Sequence, residues 1–281
     1  MRSIRHTLEQ AGTLARKRIT GYAGVLLVAI LAAFLLKTFV VGAIRVPSGS
    51  MENALLPGDC VLINKLVYGP RTPEKLPFSE AKFPELRIPG LRKIARGDVI
   101  VFSFPGDADG SAPDEPVYFV KRCVALGGDK IEIRDGTCYV NEEALREPVS
   151  GNAGQGATAG RFPPAIVPAR GDSVTLTSAN FSLWENLIRR EGHDIRCGER
   201  SGVTIDGIPA NKYGFEKNYL FVLGDNRDRS YDSRAWGFLP EENVIGEAMM
   251  VYWSSPGDGP GSGGTDAPGS VRWDRIGMFV R

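Results

Sequence analysis

Apolar residues are concentrated near the start of the chain, in one segment that is long enough to cross a membrane. Residues 19–36 contain no charged side chain, and the apolar character continues past Lys37 as far as Ile44. About 20 apolar residues suffice to cross the hydrocarbon core as a helix, and Lys37 can extend its amine towards the headgroups. We therefore predict a transmembrane anchor over residues 19–44.

The charges around this segment predict its orientation. Five basic residues precede it, namely Arg2, Arg5, Arg16, Lys17 and Arg18. Because basic flanks stay in the cytoplasm, we expect residues 1–18 inside the cytoplasmic (inner) membrane and residues 45–281 outside it. The alternative is a cleavable signal peptide, but the apolar region of a signal peptide is usually shorter. No second segment of spanning length follows, which predicts a single-pass protein.

After the anchor, short apolar runs of high β-propensity alternate with turns. The runs cover residues 60–65, 98–104, 117–126, 219–223, 248–253 and a final strand within 271–281. Asp-Gly pairs at 135–136 and 206–207 predict two hairpins. Long amphipathic patterns are almost absent, so the predicted fold is mainly β, an N-terminal transmembrane helix followed by a β-barrel-like domain.

Residues 142–217 differ from their surroundings and are predicted to form a small α+β insertion. Residues 142–170 are rich in Gly, Ala and Pro and predict a long loop, and residues 173–177 predict a strand. A helical face then carries Phe181, Trp184, Leu187 and Ile188, and Gly192 can end that helix. We expect this insertion to have its own small core.

Composition excludes several classes of function. The 281 residues carry a net charge of +1, and nucleic-acid binders normally present a basic face. Only two histidines are present, His6 and His193, and the four cysteines lack C-x-x-C spacing, so neither a metal nor a cofactor is predicted. The pairing of the cysteines stays open at this stage; they are Cys60, Cys123, Cys138 and Cys197.

Directly after the anchor, Ser48 and Ser50 flank a glycine in the segment 46–59, a pattern that suits either a constrained nucleophile or an ordinary loop. A nucleophilic serine needs a base. His6 precedes the anchor, on its cytoplasmic side, and His193 lies in a polar turn. Lys121 alternates with apolar neighbours in a predicted strand, where burial would lower its pKa. The alternative is a lysine that extends to solvent and pairs with an acid.

Four stretches in this order resemble those of bacterial type I signal peptidases, membrane-anchored Ser/Lys proteases that remove signal peptides from exported proteins. They are PSGSM at 47–51, GDVIVF at 97–102, YFVKRCVALGGD at 118–129 and GDNRDRSYDSRAWGF at 224–238. The last stretch is long and specific. The resemblance covers the anchor, the predicted barrel strands and the final strand, about two-thirds of the chain.

The resemblance assigns roles to seven residues. It implies Ser50 as the nucleophile, Lys121 as the general base, and Ser48 as an oxyanion donor acting with the Ser50 backbone N–H. Ser230 would orient the lysine amine. Three further residues resemble the structural charges of the family near the site, namely Asp225, Asp232 and Arg234.

The resemblance also implies substrates and a location. The substrates would be exported preproteins, cut after small-x-small sites at the outer face of the cytoplasmic membrane, with the lipid bilayer as a partner and no nucleic acid. Two departures concern positioning: Asn53 stands where the family commonly has proline, and Gly127 precedes Gly128-Asp129 where it has Pro-Gly-Asp. The rival interpretations are a self-cleaving repressor, which would carry a DNA-binding part, and a catalytically silent β-domain that binds exported chains.

Overall fold

The computed structural model describes residues 22–72, 86–107, 116–134, 136–145, 161–198, 202–256 and 270–281. The predicted cytoplasmic segment 1–18, His6 and the first three residues of the predicted anchor lie outside these ranges.

The anchor is a helix, α1, that covers Tyr22–Val40 with a mean hydropathy of 2.4 and no buried residue in its apolar window. It is long and apolar enough to cross a membrane. Its last turn, Leu36–Val40, widens to a π-helix. The helix ends four residues before the predicted boundary at Ile44, because Val41–Arg45 pairs with a neighbouring strand in register. The Lys65 amine binds the Lys37 and Thr38 carbonyls at 2.9 and 3.1 Å and so caps the end of the helix.

Beyond α1 the described chain is mainly β, as predicted, with two further α-helices. The strands are β1 Val41–Arg45, β2 Asp59–Asn64, β3 Val99–Ser103, β4 Tyr118–Leu126, β5 Lys130–Arg134, β6 Thr137–Val140, β7 Glu143–Ala144, β8 Arg161–Ile166, β9 Ser173–Thr175, β10 Ile195–Gly198, β11 Gly202–Ile205, β12 Ile208–Pro209, β13 Lys212–Gly214, β14 Tyr219–Leu223, β15 Leu239–Pro240 and β16 Val244–Ser254. The helices are α2 Phe181–Arg190 and α3 Ser233–Trp236.

Seven strands form one antiparallel sheet in the order β1-β2-β16-β3-β4-β14-β15. The sheet is curled into a half-barrel. Register shifts interrupt the pairing of β16 with β2 and β3, and of β14 with β4, and such bulges increase local twist. Of β4, only the second half, from Arg122 to Leu126, pairs with β14. The first half of β4 extends beyond the end of β14 and has no partner strand on that side within the described chain.

The predicted loop at 142–170 is wrong in part. Residues 161–166 form β8, which pairs with β5 at the edge of a second sheet ordered β7-β6-β5-β8. Pro163 and Pro164 explain why this strand was not predicted. Proline argues against a strand in a sequence, but an edge strand tolerates it. The predicted helix and both Asp-Gly hairpins are present, although Asp135 itself lies outside the described residues.

The apolar side chains of the insertion do not form a separate core. Trp184, Leu187 and Ile188 of α2 belong to one buried cluster with Phe221 of β14 and Phe238. The rings of Trp184 and Phe238 stack with centroids 5.8 Å apart. The insertion is therefore packed directly against the strand and the loop that follow it in sequence, and these lead into the candidate site.

The predicted final strand at 271–281 is also wrong. Trp273–Arg275 is a 3-10 turn, and the segment lies beside β16 through one isolated bridge, Met250 to Phe279, and backbone hydrogen bonds such as Gly277 N–H to the Val251 carbonyl at 2.8 Å. The buried Arg275 binds the fully buried Asp59 carboxylate, with Nη2 to Oδ2 at 2.6 Å. The turn that carries Arg275 interrupts the regular pairing that the sequence predicted.

Candidate active site

Ser50 and Lys121 are brought into contact although 71 positions separate them in the chain. Ser50 lies in the 3-10 turn Gly49–Met51, which follows β1, and Lys121 is the fourth residue of β4. The Lys121 Nζ donates to Ser50 Oγ at 2.6 Å. Only 7% of Ser50 and 4% of Lys121 are exposed. A buried hydroxyl is thus paired with a buried amine.

The surroundings of Lys121 favour its neutral form. Burial lowers the pKa of Lys121 to about 8, Asp232 and Asp225 oppose this shift, and Arg234 adds to it. Desolvation disfavours an ammonium because its charge loses the stabilisation of water. The ring of Phe119, with its centroid 5.6 Å from Nζ, forms part of this dry environment. With this pKa about a tenth of the amine is neutral at pH 7 and can accept a proton, far more than for an ordinary lysine.

A cleft of about 240 Å³ opens over this pair. Ser48 lies in the cleft, exposed, in an extended conformation directly before the Ser50 turn. The first half of β4, from Tyr118 to Lys121, lines the cleft together with Arg229 and Tyr231. The predicted oxyanion donor and the predicted nucleophile therefore share one concave surface.

The segment 224–234 lies directly behind Ser50. The Asn226 N–H donates to the Ser50 carbonyl at 3.1 Å, and the Asn226 side chain donates to Glu52 at 2.9 Å. Ser230 Oγ is buried close to Gly224 and makes no hydrogen bond with any described group. Its predicted role of orienting the Lys121 amine stays a prediction.

Gly224 allows this close approach. A Cβ at this position would lie 2.2 Å from Ser230 Oγ and 2.5 Å from the Ser50 carbonyl oxygen. We expect Gly224→Ala to lower the rate of substrate cleavage about tenfold or more, because the Ser50 turn must move and a shift of about 1 Å is costly in an active site. The assay is steady-state cleavage by the purified protein. Gly214→Ala, whose added Cβ would meet no atom nearer than the Asp172 carbonyl oxygen at 4.0 Å, is the comparison variant. Equal rates for the two variants would contradict this role.

The three predicted structural charges are buried near the site in two ion pairs. Asp232 accepts from the Arg234 side chain at 2.8 and 2.9 Å, and from the Gly224 N–H at 3.0 Å. Asp225 forms a bidentate pair with Arg122 at 2.7 and 2.6 Å. Arg122 follows Lys121 directly, so this pair connects the lysine strand to the segment 224–234.

Sequence reasoning missed Arg122, Asn226 and Tyr231. All three lie within stretches that carried the resemblance, and Arg122 is adjacent to the predicted base. Their partners are distant in sequence, so no local pattern identified them. His193 lies in the insertion and does not line the cleft. Its Nδ1 is 2.8 Å from the Asp206 carboxylate. The described residues include no group of three or more His, Cys, Asp or Glu side chains that could hold a metal ion.

Comparison with known proteins identifies the class of enzyme. Residues 19–253 match the family model described as signal peptidase, peptidase S26. Signal peptidase I of Pseudomonas aeruginosa is 32% identical over 232 residues, which cover 79% of this chain and 68% of that protein. Signal peptidase I of Aquifex aeolicus is 29% identical over 253 residues, or 80% of each chain. A solved signal peptidase I from Enterococcus faecalis has 22% identity and a TM-score of 0.27, and covers 56% of this chain and 98% of its own.

These matches define a serine endopeptidase, a hydrolase that processes signal peptides. The chain belongs to the signal peptidase family, peptidase S26.

Proposed function

We propose that this protein cleaves signal peptides from exported preproteins through a dyad of Ser50 and Lys121. The observation that carries the proposal is the 2.6 Å contact between two buried groups, one of them a lysine whose pKa is lowered to about 8. A serine becomes a competent nucleophile when an adjacent base can take its proton, and a neutral amine can do so.

In the proposed reaction the neutral Lys121 amine removes the proton from Ser50 as Oγ attacks the scissile carbonyl carbon. The carbonyl oxygen becomes an oxyanion, for which Ser48 Oγ and the Ser50 N–H would be the donors. When the tetrahedral intermediate collapses, the Lys121 ammonium returns its proton to the leaving amine of the mature protein. Water then enters and attacks the acyl carbonyl carbon while it gives a proton to Lys121. As the bond to Ser50 Oγ breaks, Lys121 returns that proton to Oγ and the signal peptide leaves with a free carboxyl group. Each oxyanion donor contributes about 3–4 kcal/mol to such a transition state.

The free strand edges beside Ser50 support extended binding of the substrate. β1 is an edge strand that leads into the Ser48–Ser50 turn, and the Tyr118–Lys121 half of β4 extends beyond its neighbour β14. A peptide can add to such edges through main-chain hydrogen bonds, while its side chains enter pockets. A cleft of about 240 Å³ suits small side chains next to the scissile bond, in agreement with a small-x-small site.

The position of α1 supports cleavage at the membrane surface. α1 ends only ten residues before Ser50, so the cleft lies close to the point where the chain leaves the membrane. The basic residues before residue 19 favour an N-terminus in the cytoplasm and a cleft at the outer face of the cytoplasmic membrane. A larger groove of about 660 Å³ at the end of α1 shares Tyr118 with the cleft. Ala43, Ile44 and Ile63 line it together with three basic residues, Lys37, Lys65 and Arg71. The apolar part of this lining suits the hydrophobic part of a signal peptide.

The test is cleavage of a model preprotein by the detergent-solubilised full chain and by Ser50→Ala. We expect Ser50→Ala to lose cleavage altogether, since the attacking oxygen is absent. Ser182→Ala changes an exposed serine of α2 and should cleave like the wild type. Sequencing of the product would locate the cut. Equal cleavage by all three proteins would exclude Ser50 as the nucleophile, and binding of the preprotein without cleavage by the wild type would favour the catalytically silent β-domain.

A further inference from the structure

Arg190, the last residue of α2, connects the insertion to two loops of the half-barrel. Its Nη2 donates to the Gly106 carbonyl at 2.7 Å and to the Trp236 carbonyl at 3.1 Å, and its Nη1 donates to the Phe238 carbonyl at 3.2 Å. A weaker contact at 3.4 Å reaches the Asp107 carbonyl. One guanidinium from the insertion therefore holds the main chain of both the loop after β3 and the segment after α3.

The first of these loops holds Tyr231 through its hydroxyl group. The Tyr231 hydroxyl donates a short hydrogen bond to the Asp107 carboxylate, one residue beyond Gly106. The Tyr231 ring also packs near Phe104, with centroids 6.1 Å apart, and Phe104 contacts Phe119 of the β4 wall at 4.8 Å. Tyr231 is thus tied at its tip by Asp107 and along its ring by aromatic packing.

Tyr231 lines the cleft together with the first half of β4. It is 46% exposed, so its contacts with Asp107 and Phe104 help to fix its position where burial in a core does not. An exposed tyrosine without such ties would exchange rotamers rapidly and would leave the width of the cleft undefined. A fixed ring at this place limits the size of the side chain that the substrate can insert.

Asp107 also acts on Arg190 electrostatically. Burial lowers the pKa of the Arg190 guanidinium, and the nearby Tyr219, Tyr231 and Asp107 oppose that shift. The planar guanidinium fork binds several fixed acceptors at once, which a lysine ammonium in the same place could not reproduce. The geometry of the loop is therefore coupled to an arginine side chain that only the insertion supplies.

We propose that Arg190 is a positioning residue through which the insertion holds Tyr231 as the size-limiting wall of the substrate cleft. The proposal rests on the proposed function, since it needs the cleft over Ser50 to be the peptide-binding site. It assigns to the insertion a role in substrate selectivity, exerted through Asp107 and Tyr231, while Ser50 and Lys121 are contacted by other elements.

The experiment compares model preproteins with Ala, Val or Leu at the first and third positions before the cut. The full chain in detergent is assayed for kcat and KM, and the readout is the ratio of kcat/KM for Val to that for Ala. We expect Tyr231→Ala to raise this ratio about tenfold, because one or two methylene groups in a pocket are worth about that much. Tyr231→Phe, which removes only the tether to Asp107, should raise the ratio by a smaller factor, mainly through a lower KM for Val.

Arg190→Ala should change the ratio in the same direction as Tyr231→Phe. Arg189→Ala is the matched control, because Arg189 is the neighbouring arginine but binds Glu185 and the Ile195 carbonyl within the insertion. Its ratio should stay within about twofold of the wild type. In the Arg190→Ala/Tyr231→Ala variant the ratio should equal that of Tyr231→Ala alone, since residues acting through one another are not additive. The acid limb of the pH profile should not move, because the pKa of Lys121 is shifted by burial, Asp232, Arg234 and Asp225 and not by Arg190 or Tyr231.

An additive double variant, or an unchanged ratio in Tyr231→Phe, would overturn the proposal. Tyr231→Phe keeps this test decisive if Arg190→Ala fails to fold, because it removes one oxygen from an exposed ring. The Ser50→Ala variant separates the two levels of inference. If Ser50→Ala still cleaves, the proposed site itself is wrong, whereas an inactive Ser50→Ala with unchanged ratios would refute only the role of Arg190 and Tyr231.

Discussion

Replacing Lys121 by methionine is expected to abolish peptide cleavage while making the folded protein more stable. General-base catalysis contributes about 10²–10⁴-fold, and methionine cannot accept a proton, so we expect at least that loss in kcat. Methionine fills a similar volume, which leaves the cleft intact. The measurement is single-turnover cleavage of a preprotein in detergent. Lys130→Met, which changes an exposed lysine paired with Glu142, is the matched control and should retain activity.

The gain in stability follows from the pKa of Lys121. The pKa of Lys121 is about 8 in the folded protein, whereas the pKa of a lysine in the unfolded chain is about 10.4. Between these values the unfolded state binds the extra proton, so the free energy of unfolding rises with pH across this window. Below pH 8 both states are protonated, and the folded state carries the full cost of a buried ammonium, about 3 kcal/mol.

Lys121→Met removes that cost but also removes the hydrogen bond to Ser50. We expect a net gain of about 1–3 kcal/mol in the free energy of unfolding at pH 7, with a smaller gain above pH 10. Thermal unfolding of both proteins at pH 7 and pH 10 measures this gain in stability.

The cleavage rate of the wild type should fall about tenfold per pH unit below pH 8, because the neutral amine of Lys121 becomes scarcer. A profile that stays flat down to pH 5, or a Lys121→Met variant that cleaves normally, would exclude Lys121 as the base.

Asp232→Ala is expected to destabilise the protein and to inactivate it. Asp232 is fully buried, and its removal leaves the guanidinium of Arg234, only 5% exposed, without its carboxylate. Breaking a buried ion pair in this way costs about 3–5 kcal/mol. Arg234 also binds the Arg227 carbonyl at 2.6 Å, and Gly224 loses its acceptor, so the segment behind Ser50 loosens as well.

The double variant Asp232→Ala/Arg234→Met separates two causes of the lost stability, namely the unpaired buried charge of Arg234 and the packing that Asp232 provided. It should recover a large part of the lost stability, because no uncompensated charge remains buried. Glu185→Ala removes an exposed i,i+4 pair with Arg189 on α2 and should cost about 0.5 kcal/mol or less. Urea unfolding of the four proteins gives these differences. If Asp232→Ala were as mild as Glu185→Ala, the buried pair would not be a structural requirement.

Asp232→Asn tests the effect of the Asp232 charge on the pKa of Lys121. Asp232 raises the pKa of Lys121 against the larger effect of burial, and Arg234 lowers it. Loss of the carboxylate charge should therefore move the acid limb of the pH profile below pH 8, in a variant that keeps the shape of the side chain. An acid limb that moves to higher pH would show that Asp232 does not stabilise the ammonium form of Lys121.

The candidate site residues could be named from the sequence because each lies in a short stretch that carries the family resemblance. Ser48 and Ser50 are two residues apart, Lys121 lies on a strand with apolar neighbours, and Asp232 and Arg234 are two residues apart. The roles of these residues stay predictions. The regular strands were predictable for a similar reason, since β-branched runs such as 99–103 have few other stable conformations. Where local signals conflicted, the prediction failed. The two prolines lowered the strand prediction at β8, and residues 271–281 contain a 3-10 turn whose Arg275 binds Asp59, more than 200 positions away.

The sequence by itself determined the apolar N-terminal helix, the mainly β fold and the residue types of the candidate site, because periodicity, propensity and short motifs express interactions between neighbours in the chain. Only the tertiary structure decided that Lys121 Nζ reaches Ser50 Oγ, that Gly224 must lack a side chain and that Arg190 of the insertion contacts the loop that holds Tyr231. Each of these depends on which strands pair and in what register. Strand pairing is set by the packing of the whole domain, and no local stretch of sequence encodes it.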